Sequence, residues 1–243
     1  MSKHDDSLDT EEHSTSNDYN WIADFVYGGI DGAVTTFAVV AGVEGASLAV
    51  PIILILGFAN LFGDGFSMSI GKYLSDKANL EQYEKIRQIE FRHLTEKTDH
   101  EIGEVRDIMK TYGFKGKDLE RAVEVITSNP EGWVDLMMRN EFNMTNENVN
   151  PMRGALITFF SFITVGFIPL IGYTFKAFVS FSDKEMFYIT AVTTLLGLFF
   201  VGTIKSKFSM RNWFVCGIET ALIGGMAATI AYLVGYFIKN LVG

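Results

Sequence analysis

Cysteine is almost missing from this chain: Cys216 is the only one in 243 residues. That excludes a disulfide framework and any multi-cysteine zinc or iron–sulfur site. Basic excess is missing too. Twenty Lys and Arg face 29 Asp and Glu, a net charge of −9. A nucleic-acid partner would need a basic face, so none is expected. Residues 1–20 lack any apolar run and set six acids against Lys3 alone. A secretory signal needs a positive start and a short apolar core, so none is read there. The stretch reads as an acidic, Ser/Thr-rich disordered tail. Charge of either sign is scarce overall, at 20%. It is also excluded from long blocks, which soluble domains do not show and membrane proteins do.

Those blocks are what is present. Five stretches, residues 21–43, 48–74, 154–175, 186–204 and 213–238, are apolar enough to cross a bilayer, for which roughly 20 residues suffice. Backbone polar groups must be satisfied inside lipid, and no stretch alternates with period two, so helices are expected and a barrel is not. The expected fold is all-α: a polytopic membrane protein with five transmembrane helices and a helical cytoplasmic insert between helices two and three. Its parts are the tail 1–20, helices one and two in 21–75, the insert 76–151, and helices three to five in 152–243. A cytoplasmic N-terminus puts 17 of the 20 basic residues inside, as the positive-inside rule asks.

The insert reads as short helices. Leu80, Tyr83, Ile86 and Ile89 recur at helical spacing, as do Ile102, Val105, Ile108 and Met109. Thr98-x-x-Glu101 suggests a capping box and a break near residues 95–99. Gly113 and Gly116 mark a turn, Asp118 is expected to cap a helix through Ile126, and residues 130–132 to open a last helix through Phe142.

Three carboxylates inside the spans are singled out: Asp31, Asp64 and Glu219. Charge in hydrocarbon is expensive and usually marks a pathway or a pair. No Arg or Lys lies near any of them in sequence at the same depth, so each is expected to hold a proton or bind a cation. Asn60, Asp64 and Met68 step by four along one helix face. Oxygen donors suit hard divalent cations, and a thioether adds preference for softer transition metals. In the insert, Glu90, His93, Glu101 and Glu104 would share about 80° of arc on one continuous helix, or form two i, i+3 pairs if it breaks. Met137, Met138 and Glu141 follow. Carboxylates, an imidazole and thioethers suit iron(II) or manganese(II); the bland alternative is a solvated acidic face. Small residues step by four at Gly28, Gly32 and Thr36 and at Gly217, Ala221 and Gly225, a spacing that lets helices approach within or between protomers.

The residues Asp31-Gly32-Ala33-Val34-Thr35-Thr36-Phe37 and Ser67-Met68-Ser69-Ile70-Gly71-Lys72-Tyr73-Leu74, with the insert and its Met137-Met138-x-x-Glu141, resemble the vacuolar iron transporter family over about residues 21–240. The resemblance implies a homodimer in a lipid bilayer that moves iron(II), and often manganese(II), out of the cytosol in exchange for protons. It implies membrane metal contacts at Asp31 and Met68, and insert ligands at Glu90, Glu101, Glu104, Met137, Met138 and Glu141. Two positions depart from the family pattern. A span-two glutamate is replaced by Asn60, with Asp64 and Glu219 as substitutes, and an insert glutamate is replaced by His93. Thr35 and Glu219 are candidates for a proton or ion pathway. No permanent cofactor and no enzymatic activity are expected; the metal is cargo, bound transiently by the insert. The membrane would be vacuolar or endomembrane, or a bacterial plasma membrane. The rival reading is a membrane-anchored metal sensor or store. An intramembrane di-iron oxidase is weaker, because Glu90-x-x-His93 occurs once and that fold needs paired copies.

Overall fold

A computed structural model describes residues 21–145, 149–178, 181–208 and 210–242. The expected acidic tail, 1–20, lies outside the described residues. Among those described, every regular element is a helix. The chain forms two compact units, Met1–Leu74 with Asn150–Gly243, and Ser75–Val149.

The first unit holds α1 (Trp21–Gly45), the start of α2 (Val50–Glu96), α6 (Pro151–Gly166), α7 (Ile168–Thr174), α8 (Asp183–Lys205) and α9 (Trp213–Val242). Four of these helices are each long and apolar enough to cross a membrane, and α6 with α7 makes a fifth if the bent pair counts as one span. That bend, 46°, corrects the expected single helix over 154–175. Its cause is Pro169, which has no N–H to continue the helix ladder and crowds the turn before it. α2 also runs on through the expected boundary at 75/76 and ends only at Glu96.

α1 is the central helix: 56% of its most apolar window is buried, against 17–28% for α2, α8 and α9. It packs against α6 on one side and α9 on the other. Gly28 and Gly32 make the first contact possible. A Cβ at Gly32 would sit 2.3 Å from the Phe162 carbonyl oxygen, and one at Gly28 would sit 2.5 Å from that of Thr158. Both glycines are spent on packing within the chain, and so is Gly217, against Phe199 of α8. The outward faces carry exposed Ile55, Phe62, Phe66, Val192, Phe200, Leu222 and Phe237. Apolar exposure on this scale is foreign to a water-facing surface and suits lipid.

The second unit is the end of α2 with α3 (Thr98–Thr111), α4 (Gly116–Thr127) and α5 (Pro130–Asn140). Its core gathers Tyr83, Leu94, Val105, Met109, Leu119, Val123, Trp133 and Val134. Of the residues picked out by spacing, Tyr83, Val105 and Met109 are in it and Ile86, Ile102 and Ile108 pack against it, whereas Leu80 and Ile89 do not join it. The break between α2 and α3 falls at Lys97, inside the expected window, but not through a capping box: the Thr98 hydroxyl donates back to the Leu94 carbonyl. Nor does Asp118 cap α4. It lies within the first turn, behind the N-cap Lys115, and favours the helix through the macrodipole. α5 starts as expected, with Asn129 accepting from the Gly132 N–H and Pro130 at the first position, and it ends at Asn140, two residues early.

Candidate metal centre

The two-helix arrangement weighed from the sequence is the one realised. Glu90 and His93 come from the end of α2, Glu101 and Glu104 from the first turns of α3. The Lys97 break folds the two pairs together. One carboxylate oxygen each from Glu90 and Glu101 and one His93 nitrogen lie within 4.8 Å of one another. His93 Nδ1 is 3.5 Å from Glu90 Oε1 and 3.5 Å from Glu101 Oε1.

Burial separates this cluster from a solvated acidic face. Glu90 is 1% exposed and Glu101 2%. Each keeps its Oε2 buried without a hydrogen-bond partner. A buried carboxylate oxygen left unpaired costs several-fold more than an exposed one, and a cation would relieve it. Burial pushes the Glu90 carboxyl above the ordinary glutamate range, and the Glu141 and Glu104 charges push it further, against a weaker pull from Lys97. Glu101 is raised first by burial and then by Glu104 and Glu90, with His93 opposing. Glu141 is raised by burial and by Glu104, opposed by His93 and His100. Seven groups thus feel one another: four acids, two histidines and Lys97. Such a cluster is short of positive charge, and neutral imidazole with carboxylate is a donor set for a borderline divalent metal.

The remaining insert residues stand around it. Glu104 adds its charge beside Glu101 and lies 3.3 Å from His100 Nε2. Glu141 follows the end of α5 and is more open to solvent than Glu90 and Glu101. Met137 and Met138 are 1% exposed and pack in the apolar core. His100 is a neighbour the sequence reading passed over; its signal was the i, i+4 spacing to Glu104.

In the membrane unit, the Asn60 amide donates to Asp64 Oδ2 on one face of α2, with Met68 a turn further on. Asp31, on α1, is close enough to Asp64 for the two carboxylates to repel. The Thr35 hydroxyl is engaged by its own helix, donating to the Asp31 carbonyl at 2.8 Å. Glu219 corrects an expectation. It is not uncompensated: Arg211 Nη1 lies 3.4 Å from its Oε2, because the residues before α9 turn back along its first two turns. Two further groups escaped the sequence reading. Asp24, in the first turn of α1 and 8% exposed, pairs with Lys72 of α2 at 3.4 Å. Glu44 stands at the other end of α1.

The chain also resembles known proteins. A sequence model of the VIT family matches residues 22–236. Vacuolar iron transporter 1 of Oryza sativa subsp. japonica is 32% identical over 225 residues, covering 91% of this chain and 86% of the relative. The vacuolar iron transporter of Toxoplasma gondii is 31% identical over 241 residues, covering 97% and 80%. That of Plasmodium berghei is 30% identical over 236 residues, covering 95% and 86%.

Proposed function

The chain belongs to the VIT family, and from that premise we propose that it is a homodimeric transporter carrying iron(II), manganese(II) or both out of the cytosol in exchange for protons. This is a family of transporters and not of enzymes. The observation that carries the reading is the buried Glu90–His93–Glu101 cluster in a chain whose spans hold the Asp31, Asp64, Asn60 and Met68 set.

The metal is substrate throughout. Glu90, His93 and Glu101 capture it from the cytosol, with Glu104 and Glu141 enriching the local cation concentration. Binding is weak enough for release because the carboxylates hold protons that compete with the metal. The Asp31 and Asp64 carboxylates, with the Asn60 oxygen and Met68 thioether, form the membrane step. Two acids that repel each other accept a divalent cation readily, and accept protons in its place from the far side. Exchange follows from that competition. Asp64 is exposed on the single chain, and a carboxylate facing lipid is costly. A second copy against this face of α2 would remove that cost.

The test is metal uptake into proteoliposomes under an imposed pH gradient. Transport reading and sensor reading part here: a transporter moves metal and loses it with Asp31→Ala, whereas a sensor binds metal and moves none.

A further inference from the structure

On the membrane unit, a cavity of about 540 Å³ opens between α1, α8 and α9. It lies at the end of α1 opposite the Asp24–Lys72 pair. The recess is apolar: Phe37 and Ala228 are buried at its base, and the Phe187 and Tyr232 rings stand 6.0 Å apart on its wall. Gly225, Ala228 and Ala191, small side chains on facing helices, leave the space open.

Two charges line the same cavity, Glu44 from the last turn of α1 and Lys184 from the first turn of α8. Glu44 is half-buried and Lys184 exposed. Lys176 and, more weakly, Lys184 both act on the Glu44 charge, and neither closes to an ion pair with it among the described residues. The neighbouring Lys176 is already held by Asp183. The backbone that carries Glu44 is closely held. A Cβ at the adjacent Gly45 would lie 2.1 Å from the Tyr232 carbonyl oxygen, so α1 and α9 meet backbone to backbone there. Both charges sit at helix ends, the depth at which lipid headgroups lie, and Tyr188 and Tyr232 beside them are the aromatic residues that favour that depth.

A carboxylate and an ammonium held apart over an apolar recess are complementary to an amphiphile with both charges in its head. Cargo metal does not fit, because Lys184 faces it. We propose that this cavity binds one phospholipid whose headgroup carries a phosphate and a primary amine. The amine donates to Glu44, Lys184 donates to the phosphate, and an acyl chain lies along Phe37, Phe187 and Leu195. The site rests on the membrane reading of α1, α8 and α9 and is independent of the metal centre.

The experiment uses the full chain, delipidated in detergent and given phosphatidylethanolamine, phosphatidylcholine or phosphatidylglycerol with identical acyl chains. Native mass spectrometry counts retained lipid and a melting curve reads stability. The wild type should retain one phosphatidylethanolamine and melt highest with it. Glu44→Gln should erase the preference over phosphatidylcholine, whose amine cannot donate. Lys184→Gln should weaken retention of all three by about tenfold, the loss of one charge-assisted bond. Equal retention of the three lipids by the wild type overturns the proposal, with no variant needed. So does a preference for phosphatidylethanolamine that survives Glu44→Gln.

Discussion

Glu90 occupies a position that helical periodicity reserves for an apolar side chain. Tyr83 lies seven residues before it, Leu94 four after, and all three are buried. Glu101 likewise lies one and two turns before buried Val105 and Met109 on one face of α3. The folded state therefore bears two carboxylates that the unfolded chain would hydrate, and both bind protons more tightly when folded. Between the ordinary glutamate value and the raised one, the native state holds more protons than the unfolded state, so metal-free stability falls as pH rises through that window. Glu90→Gln should reduce this slope to the share that Glu101 contributes and raise the metal-free melting temperature at pH 7, while cutting metal affinity at least about tenfold, a ligand's worth of binding. Melting curves against pH and calorimetric metal titration check both. Wild-type affinity should also fail on acidification at higher pH than for exposed carboxylates, because metal displaces those protons. His93 sets the donor set apart from carboxylate alone. His93→Glu should lower the ratio of cobalt(II) to manganese(II) affinity, since imidazole favours the later metal. An unchanged ratio would remove His93 from the ligand set, while loss of binding in neither Glu90→Gln nor His93→Glu would remove the whole site.

At the scale of elements, α1 is placed by what its residues lack. The Gly32 contact with the Phe162 backbone cannot yield by a side-chain rotation. Gly32→Val should therefore cost more than about 3 kcal/mol, the upper end of overpacking penalties, read as a lowered melting temperature and poor recovery from membranes. By contrast, Asn129→Ala removes one side-chain cap from α5 and should cost about 1 kcal/mol. Melting of the second unit reports it. Most element positions were legible beforehand because hydropathy and helical period are local properties of the chain. The exceptions were α2, whose helical pattern has no local stop between its apolar and charged halves, and the α6–α7 bend, where one proline sits in an otherwise uninterrupted apolar stretch.

For the whole molecule, the arrangement that matters is which faces remain uncovered. Asp64 is exposed, and a Cβ at Gly63 would meet no atom within 4 Å. If a second copy covers this face, Gly63→Cys should form a disulfide-linked dimer in liposomes on mild oxidation, with buried Cys216 silent. A band that stays monomeric at full labelling would place the dimer elsewhere. Asp31→Ala in the same liposomes should stop uptake yet leave metal binding by the insert intact, because the ligands proposed there are Glu90, His93 and Glu101.

The sequence alone determined the helical class, the candidate spans, the acidic residues within them and the family resemblance, because each depends on composition, period or local motif. Tertiary structure decided the fate of individual charges. It joined Glu90, His93 and Glu101 into one buried cluster across the Lys97 break and paired Asp24 with Lys72. It gave Glu219 a partner in Arg211 and left Glu44 and Lys184 facing one cavity. Whether a carboxylate is solvated, paired or poised for a cation depends on atoms distant in the chain, and only the folded packing brings those atoms within a few ångströms.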